Sequence, residues 1–283
     1  MDVVINEVLS ILSSAAISSV IALGLGITFR LMGIINLAHG EFMMIGAYAA
    51  VFAASLGLPW PLVVLVAVLV AAAVGALAEV LIVRWLYRSP ELSILGTYGL
   101  SIVLIQGVQV TLGKGYLYSS NPFPGAIEVI GVEYPIYRLV LVAVSVVLFT
   151  LVLLLLNATP LGTKIRAVAA DGKLAEALGI RSSRLNLIVF TASAALAGLA
   201  GVLVGPLGNV RPDMGADYIF TAFVIVIIAG NSIVRLIPAA IIVATVQNLM
   251  TFWIDPMVAK IAVLVIALLV LQRLRRTPEA VTA

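Results

Sequence analysis

The chain has 283 residues and a formal net charge of +3; 63% of its residues are hydrophobic, only 10% are charged, and its mean hydropathy is +1.23. Soluble domains are about a quarter charged, so this composition excludes a soluble enzyme, a disordered chain and a nucleic-acid-binding domain. The chain has no cysteine and a single histidine, His39, which excludes a cysteine-ligated or multi-histidine metal site within one chain. We therefore predict a polytopic membrane protein without a metal site of its own.

Long apolar stretches predict the membrane-spanning elements in chain order. A helix needs roughly 20 apolar residues to cross about 30 Å of hydrocarbon, whereas the strands of a membrane barrel need only about ten. The lengths here therefore predict an all-α, polytopic membrane helical bundle. The predicted elements are Val8–Phe29, about 33–57, about 61–83, Leu92–Gly113, Leu139–Asn157, Leu185–Val210, Tyr218–Ile254 and Pro256–Gln272.

Two of these elements are expected to be interrupted. A single helix over 218–254 would be about 55 Å long at 1.5 Å per residue, which is too long for one crossing. We predict that it breaks near Gly230-Asn231-Ser232, which gives about eight transmembrane spans with at least one broken or re-entrant helix. A second candidate break is Gly33–Gly46, a stretch that carries polar residues. Backbone freed by such breaks must line protein or a water-filled cavity.

The Lys and Arg residues near the span ends predict the orientation. The segment 158–184 carries five of them, and others lie at Arg84 and Arg88 and in the C-terminal tail. If these groups face the cytoplasm, the N-terminus, the 57–60 turn and the loop 114–138 lie outside. We expect no cleavable signal peptide, because the N-terminus lacks the basic residues that begin one.

Six polar side chains inside the predicted spans are candidates for a substrate pathway. Ionisable residues inside a membrane are costly and by default indicate function. If helical, Asn36 and His39 share one face while Glu41 points elsewhere. The alternatives are that His39 simply pairs with Glu41 or a backbone carbonyl, and that the polar groups of 92–113 bond between helices. The six residues are Asn36, His39, Glu41, Thr97, Ser101 and Gln106.

A glycine pattern concerns helix packing. Gly201 and Gly205 form a GxxxG pair that Gly198 extends, which predicts close helix packing.

The longest polar segment is 158–184. Within it, Thr163–Ala170 and Lys173–Leu178 have helical character. Gly172 and Gly179 are expected to act as break and C-cap. This segment fits a short helix at the inner membrane surface. Such a helix would be either a lipid anchor or a binding site for a cytosolic motor subunit.

Several motifs together resemble the branched-chain amino-acid ABC permeases of the LivH type. They cover most of positions 30–210 in the order and spacing of that family. The motifs are Asn36-Leu37-Ala38-His39-Gly40-Glu41-Phe42 followed by Gly46-Ala47-Tyr48, then Glu79, Thr97-Tyr98-Gly99-Leu100-Ser101, Gly162 through Arg166-Ala167-Val168-Ala169, Leu174 to Ile180, and Ala195 to Gly201.

The resemblance implies a single permease domain over 1–283, a half-pore in the bacterial inner membrane. Its implied partners are a second, LivM-like permease, two cytosolic ABC ATPases, a periplasmic solute-binding protein and membrane lipid, with no nucleic acid. ATP and Mg would bind the ATPases, and this chain would be non-catalytic and without a cofactor; it has no GxxxxGK[ST] loop. Segment 158–184 would be the cytoplasmic coupling loop, contacting an ATPase through Lys173, Leu174, Ala175, Glu176, Ala177, Leu178, Gly179 and Ile180.

The resemblance implies transport of branched-chain or related small amino acids. Related permeases for urea or short-chain amides have similar signatures, so the solute stays open. A stand-alone channel or secondary carrier would also have broken helices, but it would not need the helical segment at 158–184.

Overall fold

A computed structural model describes residues 2–87, 90–129, 131–230 and 232–276. In this part of the chain, eleven α-helices and two short antiparallel strand pairs form the regular structure. The helices are α1 (Asp2–Met32), α2 (His39–Ser55), α3 (Trp60–Leu81), α4 (Pro90–Leu112), α5 (Ile136–Ala158), α6 (Pro160–Ala170), α7 (Gly172–Ala177), α8 (Ser182–Val204), α9 (Met214–Ala229), α10 (Leu236–Trp253) and α11 (Pro256–Arg276). The strands are β1 (Leu117–Tyr118), β2 (Ala126–Val129), β3 (Val132–Pro135) and β4 (Asn209–Val210), with β1 paired to β4 and β2 to β3.

The described chain is a helical membrane bundle, as its composition predicts. Six of its helices are long and apolar enough to cross a membrane, namely α1, α3, α4, α5, α8 and α10. Helix α9 and the apolar part of α11 are shorter, and α2 has 17 residues. Length and composition therefore identify six spans, fewer than the eight that the sequence argument counted.

The predicted break in 218–254 is present. Helix α9 ends at Ala229 and α10 begins at Leu236. Gly230 follows α9 with a φ of +55°, a left-handed value that glycine adopts without steric cost. Asn231, part of the predicted break, lies outside the described residues. The chain thus turns between two shorter helices instead of forming one helix of about 55 Å.

One end of the bundle gathers the start of α1, the α2–α3 turn, the α4–α5 segment and the α8–α9 segment. Trp60 packs edge-on against Phe123 with ring centroids 5.3 Å apart. The Tyr137 hydroxyl donates a hydrogen bond of 2.6 Å to the Leu203 carbonyl. Strand pair β1–β4 joins the α4–α5 segment to the α8–α9 segment. We refer to this as the outer end.

The opposite end carries most of the basic side chains. Arg30 donates a hydrogen bond to the Gly230 carbonyl, which joins the end of α1 to the α9–α10 break. Arg30 and Lys173 line the same cavity here, beside α6 and α7. Because an excess of Lys and Arg predicts the cytoplasmic side, we refer to this as the cytoplasmic end. Arg88 and the side chains of the tail arginines, which the sequence argument also used, lie outside the described residues.

Helix α8 lies at the centre of the bundle and packs through its glycines. A Cβ atom on Gly201 would collide with the Met43 carbonyl of α2, and one on Gly198 would collide with Ala71 of α3. These two glycines let the helix backbones approach closely. Gly205 instead lies against Ser119 of the outer segment, because α8 has already ended there.

Candidate functional site

Residues 33–38 form an irregular segment between α1 and α2, which we call the α1–α2 break. Helix α1 ends at Met32, but the next helix does not begin at the same depth. The Nε2 atom of His39, the first residue of α2, lies 3.1 Å from the Ile21 carbonyl oxygen. About 16 Å of helix separates Ile21 from Met32 at 1.5 Å per residue. The chain therefore turns back into the bundle, and α2 begins deep inside it.

Two side chains satisfy the irregular backbone of this break. The Thr97 hydroxyl of α4 accepts a hydrogen bond of 3.1 Å from the Leu37 amide and lies 3.0 Å from the Ile35 carbonyl. The Asn36 side-chain oxygen accepts a bond of 3.1 Å from the Ala38 amide. Non-helical backbone at membrane depth needs such partners. Thr97 and Asn36 therefore hold the break in shape, and Asn36 does not share a helical face with His39.

The first turn of α2 carries two buried polar groups that are only partly satisfied. His39 is 0% exposed and Glu41 is 3% exposed. The Nδ1 atom of His39 and the Oε2 atom of Glu41 have no hydrogen-bond partner among the described residues. Ser101 of α4 interacts with the Glu41 carboxyl group. Leaving a buried polar atom unpaired costs about 1–3 kcal/mol, and more for a charge, so this turn is a candidate for contact with a solute.

The alternatives left open for His39 are resolved by its contacts. Its Nε2 atom bonds to a backbone carbonyl, that of Ile21, and not to Glu41. The ring also lies against Gly24 of α1, where a Cβ atom would sit 2.7 Å from the His39 Cε1 atom. His39 therefore fixes the start of α2 against α1, while Nδ1 is left for another partner.

Glycines bring the starts of α2 and α9 together at this depth. A Cβ atom on Gly40 would lie 2.6 Å from the Gly215 carbonyl oxygen.

The buried hydroxyl group of Tyr48 also lacks a described partner. Tyr48 lies seven residues after Glu41, further toward the outer end on the same face of α2. Sequence analysis missed Tyr48 as a site residue, although the seven-residue spacing places it above Glu41 on one helical face.

A second buried carboxylate, that of Glu79, has a partner on each of its oxygen atoms. Glu79 is buried at the end of α3, with Arg84 Nη2 3.0 Å from Oε2 and the Tyr87 hydroxyl 2.7 Å from Oε1. Burial, followed by the bond to Glu79, raises the pKa of Tyr87, so its phenol stays protonated and donates. Glu79 is therefore a structural residue that closes α3 at the cytoplasmic end.

The α6–α7 hairpin, residues 160–177, closes the cytoplasmic end. The Thr159 hydroxyl caps α6 by accepting from the Gly162 amide at 3.0 Å. Asp171 separates the helices and caps α7 through the Lys173 and Leu174 amides, each at 3.0 Å. Gly172 was predicted as the break, but it is the first residue of α7 because Asp171 provides the cap.

Gly179 ends α7 as the sequence predicts. Its φ is +82°, and its amide donates to the Glu176 carbonyl at 2.9 Å. The Ile180 amide donates to the Ala175 carbonyl at 3.0 Å. These two bonds form a Schellman motif, in which glycine is the usual left-handed residue. The hairpin is therefore closed by local hydrogen bonds at both ends of α7.

The two faces of α7 have different surroundings. Ala175 is buried and Ile180 packs against the bundle core, so these two residues anchor the segment. Leu174 and Leu178 are 59% and 74% exposed, and Glu176 is exposed beside them. Exposed leucines on a short helix of this kind fit a surface that a protein partner or the membrane interface covers. The two leucines and Glu176 are defined here as the docking face.

Comparison with known proteins identifies the family. The family described as the permease component of branched-chain amino acid transport systems matches residues 7–272. The chain belongs to this family. It is therefore a multi-pass permease of the inner membrane, in agreement with its six apolar helices.

Individual relatives of the permease agree with this assignment. It is 29% identical to the high-affinity branched-chain amino acid permease protein LivH of Salmonella typhimurium, over 79% of this chain and 77% of LivH. It is 30% identical to the corresponding protein BraD of Pseudomonas aeruginosa, over 75% of this chain and 74% of BraD. It is 24% identical to the ribose import permease protein RbsC of Haemophilus influenzae, over 81% of this chain and 70% of RbsC. No solved structure gives a significant match.

Five of the six predicted pathway residues of the permease lie around the α1–α2 break. Gln106 does not join them, because it is exposed on α4 more than one turn beyond Ser101. The break therefore forms a compact polar cluster inside the bundle, contributed by α2, α4 and the break itself. Its members are Asn36, His39, Glu41, Thr97 and Ser101.

Proposed function

We propose that the permease is one half of the pore of an ABC importer for branched-chain or related small amino acids. Its relatives LivH and BraD are named for that transport. The observation that carries the proposal is the docking face, which exposes Leu174 and Leu178 at the cytoplasmic end. A second LivM-like permease would complete the pore, and a periplasmic binding protein would deliver the solute. Two cytosolic ATPases would bind ATP and Mg, so the permease itself performs no catalysis.

The permease is proposed to form a single domain over 1–283 with eight spans. These are α1, α2, α3, α4, α5, α8, α10 and α11, and the shorter α9 returns the chain to the cytoplasmic end before α10 begins. Helix α2 is short for a full crossing because it begins at depth, after the re-entrant α1–α2 break. Segment 158–184, which contains the α6–α7 hairpin, is then the cytoplasmic coupling loop.

Movement of the docking face can reach the polar cluster through packed helices. Ala175 and Ile180 anchor α7 to the bundle, and Ile165 of α6 is buried against the core. Ile165 and Leu31 of α1 line the same apolar cavity. Leu31 lies two residues before the α1–α2 break. A displacement of α7 by the closing ATPases would therefore act, through α6 and the end of α1, on the break and on Glu41.

The polar cluster has the chemistry to contact an amino acid. The start of a helix carries partial positive charge and attracts carboxylates, and discontinuous helices line the solute path in many transporters. The first turn of α2 offers this positive end together with the unpaired oxygen of Glu41, which can accept from an ammonium group. A small zwitterion suits both groups.

The test is co-purification of tagged permease with its ATPases in mild detergent. Leu174→Glu/Leu178→Glu should abolish ATPase retention, because two carboxylates replace the apolar contacts of the docking face. Ile127→Glu is the matched control, since Ile127 is an apolar residue of similar exposure at the outer end. ATPase retention by the double variant, or an active wild-type permease with no bound ATPase, would contradict the proposal in favour of a channel or carrier.

A sugar is the second candidate solute, because of the similarity to ribose import permeases. The polar cluster argues against it, since one carboxyl group and one imidazole leave few hydrogen-bond partners for a sugar's many hydroxyls. Competition of unlabelled ribose, urea and leucine against labelled leucine uptake in the reconstituted complex separates the solutes. Competition by leucine alone supports the amino-acid assignment.

A further inference from the structure

Three arginines meet at the cytoplasmic end without a carboxylate partner. Arg30 bonds to the Gly230 carbonyl and Arg166 to the Leu156 carbonyl. Arg235 is close enough to Arg30 for their like charges to interact. None of the three forms an ion pair with any described Asp or Glu. Asp171 and Glu176 line a neighbouring cavity with Arg30 but form no ion pair with these arginines. Clustered cations without a bound counter-charge repel one another, so this arrangement favours an anion from outside the chain.

A cavity of about 480 Å³ lies between two of these arginines. Arg30 and Arg166 line it together with the polar side chains of Asn157 and Ser232, and no acidic residue is among its described lining. The Nε atom of Arg30 has no hydrogen-bond partner among the described residues. Because a guanidinium has five donors and each arginine uses few of them here, both can bind further oxygen atoms.

A second cavity, of about 280 Å³, lies beside the first and is entirely apolar. Ile165 of α6 and Ala192 and Leu196 of α8 are part of its lining. Leu31 and Leu156 line both cavities, so the two are adjacent. Helix α6 lies between them, with Ile165 toward the apolar cavity and Arg166 toward the polar one. An apolar cavity on a membrane bundle favours hydrocarbon over water.

We propose that the two cavities bind one anionic phospholipid of the inner leaflet. Its phosphate would accept hydrogen bonds from Arg30 and Arg166, as guanidinium groups readily provide, and one acyl chain would fill the apolar cavity. An acidic side chain of an ATPase would match the arginines but would leave the apolar cavity empty. A lipid satisfies both, and it would hold α6 against α1 and α5. This site does not depend on which solute is transported.

The test is native mass spectrometry of the purified full-length permease with short-chain lipids. Phosphatidylglycerol should bind as one copy at least about tenfold more tightly than phosphatidylcholine, a preference lost in Arg30→Gln/Arg166→Gln. Lys164→Gln is the matched control, because this exposed lysine of α6 does not line the cavity. Equal binding of the two lipids, or an unchanged preference in the double variant, would overturn the proposal.

A second variant separates a lipid from a free anion. Ala192→Phe fills the apolar cavity from an exposed position, so it should weaken phosphatidylglycerol binding and leave glycerol phosphate binding unchanged. Glycerol phosphate that binds as tightly as phosphatidylglycerol, with no effect of Ala192→Phe, would overturn the proposal in favour of a free phosphate site. Loss of ATPase retention in Arg30→Gln/Arg166→Gln, with lipid binding unchanged, would overturn it in favour of a protein partner.

Discussion

At the scale of single residues, the polar cluster divides into groups that satisfy backbone atoms and groups that lack a described partner. Thr97 and Asn36 satisfy the backbone of the α1–α2 break, and their hydrogen bonds account for their burial. Glu41 differs, because one of its carboxyl oxygens is buried without a described partner. Burying this oxygen costs free energy, and no described contact of the folded chain offsets the cost. Glu41 is therefore the strongest single-residue candidate for the pathway.

Glu41→Gln tests that role. The amide has nearly the same shape but no charge, so thermal stability should stay the same or rise as the cost of a buried charge is removed. Uptake by the reconstituted complex should fall at least about tenfold, the loss of one charge-assisted contact, while ATPase retention is unchanged. Glu128→Gln is the control, because Glu128 is an exposed carboxylate of the β2–β3 hairpin at the outer end. Full uptake in Glu41→Gln would remove this residue from the pathway.

At the scale of elements, close backbone packing around α8 holds the bundle together. Helix α8 meets α2 at Gly201 and α3 at Gly198, where no side chain fits. The aromatic pair Phe42–Phe190, with ring centroids 5.8 Å apart, joins α2 to α8 on the same side. The position of α2, and therefore of Glu41, depends on these contacts.

Gly201→Ala should destabilise the permease, because its methyl group would collide with the Met43 carbonyl. Overpacking of this kind costs about 1–3 kcal/mol. Gly99→Ala is the control: Gly99 lies within α4 with open space at its Cβ position, and glycine costs a helix about 0.5–1 kcal/mol relative to alanine. In detergent, the thermal unfolding temperature should therefore fall in Gly201→Ala and rise in Gly99→Ala. A neutral Gly201→Ala would show that α2 and α8 can move apart freely.

Local sequence patterns predicted the elements well where the cause of the structure is itself local. The break near Gly230 follows from helix length, and the end of α7 at Gly179 follows from the left-handed conformation of glycine. The second candidate break, Gly33–Gly46, is present in its first part, since residues 33–38 are not helical, but the return of the chain into the bundle after Met32 was harder to predict. It depends on Thr97, which is distant in sequence and binds the break from α4. Gln106 lies apart from the other five predicted residues for a similar reason, since only packing reveals that this side of α4 is exposed.

At the scale of the whole molecule, charge and contacts agree on two ends. The distribution of Lys and Arg predicts which connections lie at each end of the bundle, and side-chain contacts bring the same connections together. Arg30 lies beside Gly230 at one end, and Tyr137 lies beside Leu203 at the other. The α6–α7 hairpin lies at the basic end, which the Lys and Arg residues predict to face the cytoplasm.

Cysteine labelling tests this orientation directly, because the chain has no cysteine of its own. A membrane-impermeant maleimide added to intact spheroplasts should label Glu128→Cys of the outer hairpin and leave Lys173→Cys of α7 unlabelled. Inverted vesicles should give the reverse pattern, since the basic end faces the cytoplasm. Labelling of Lys173→Cys from outside would put the docking face on the wrong side for an ATPase.

The most direct test of the proposed function is labelled leucine uptake into proteoliposomes that contain the permease and its co-purified subunits. We expect uptake only when ATP is available to the ATPases and the binding protein is on the opposite side. The Leu174→Glu/Leu178→Glu variant should have no uptake, because the docking face no longer transmits ATPase closure. Leucine flux that is independent of ATP, and equal in this variant, would contradict the importer assignment.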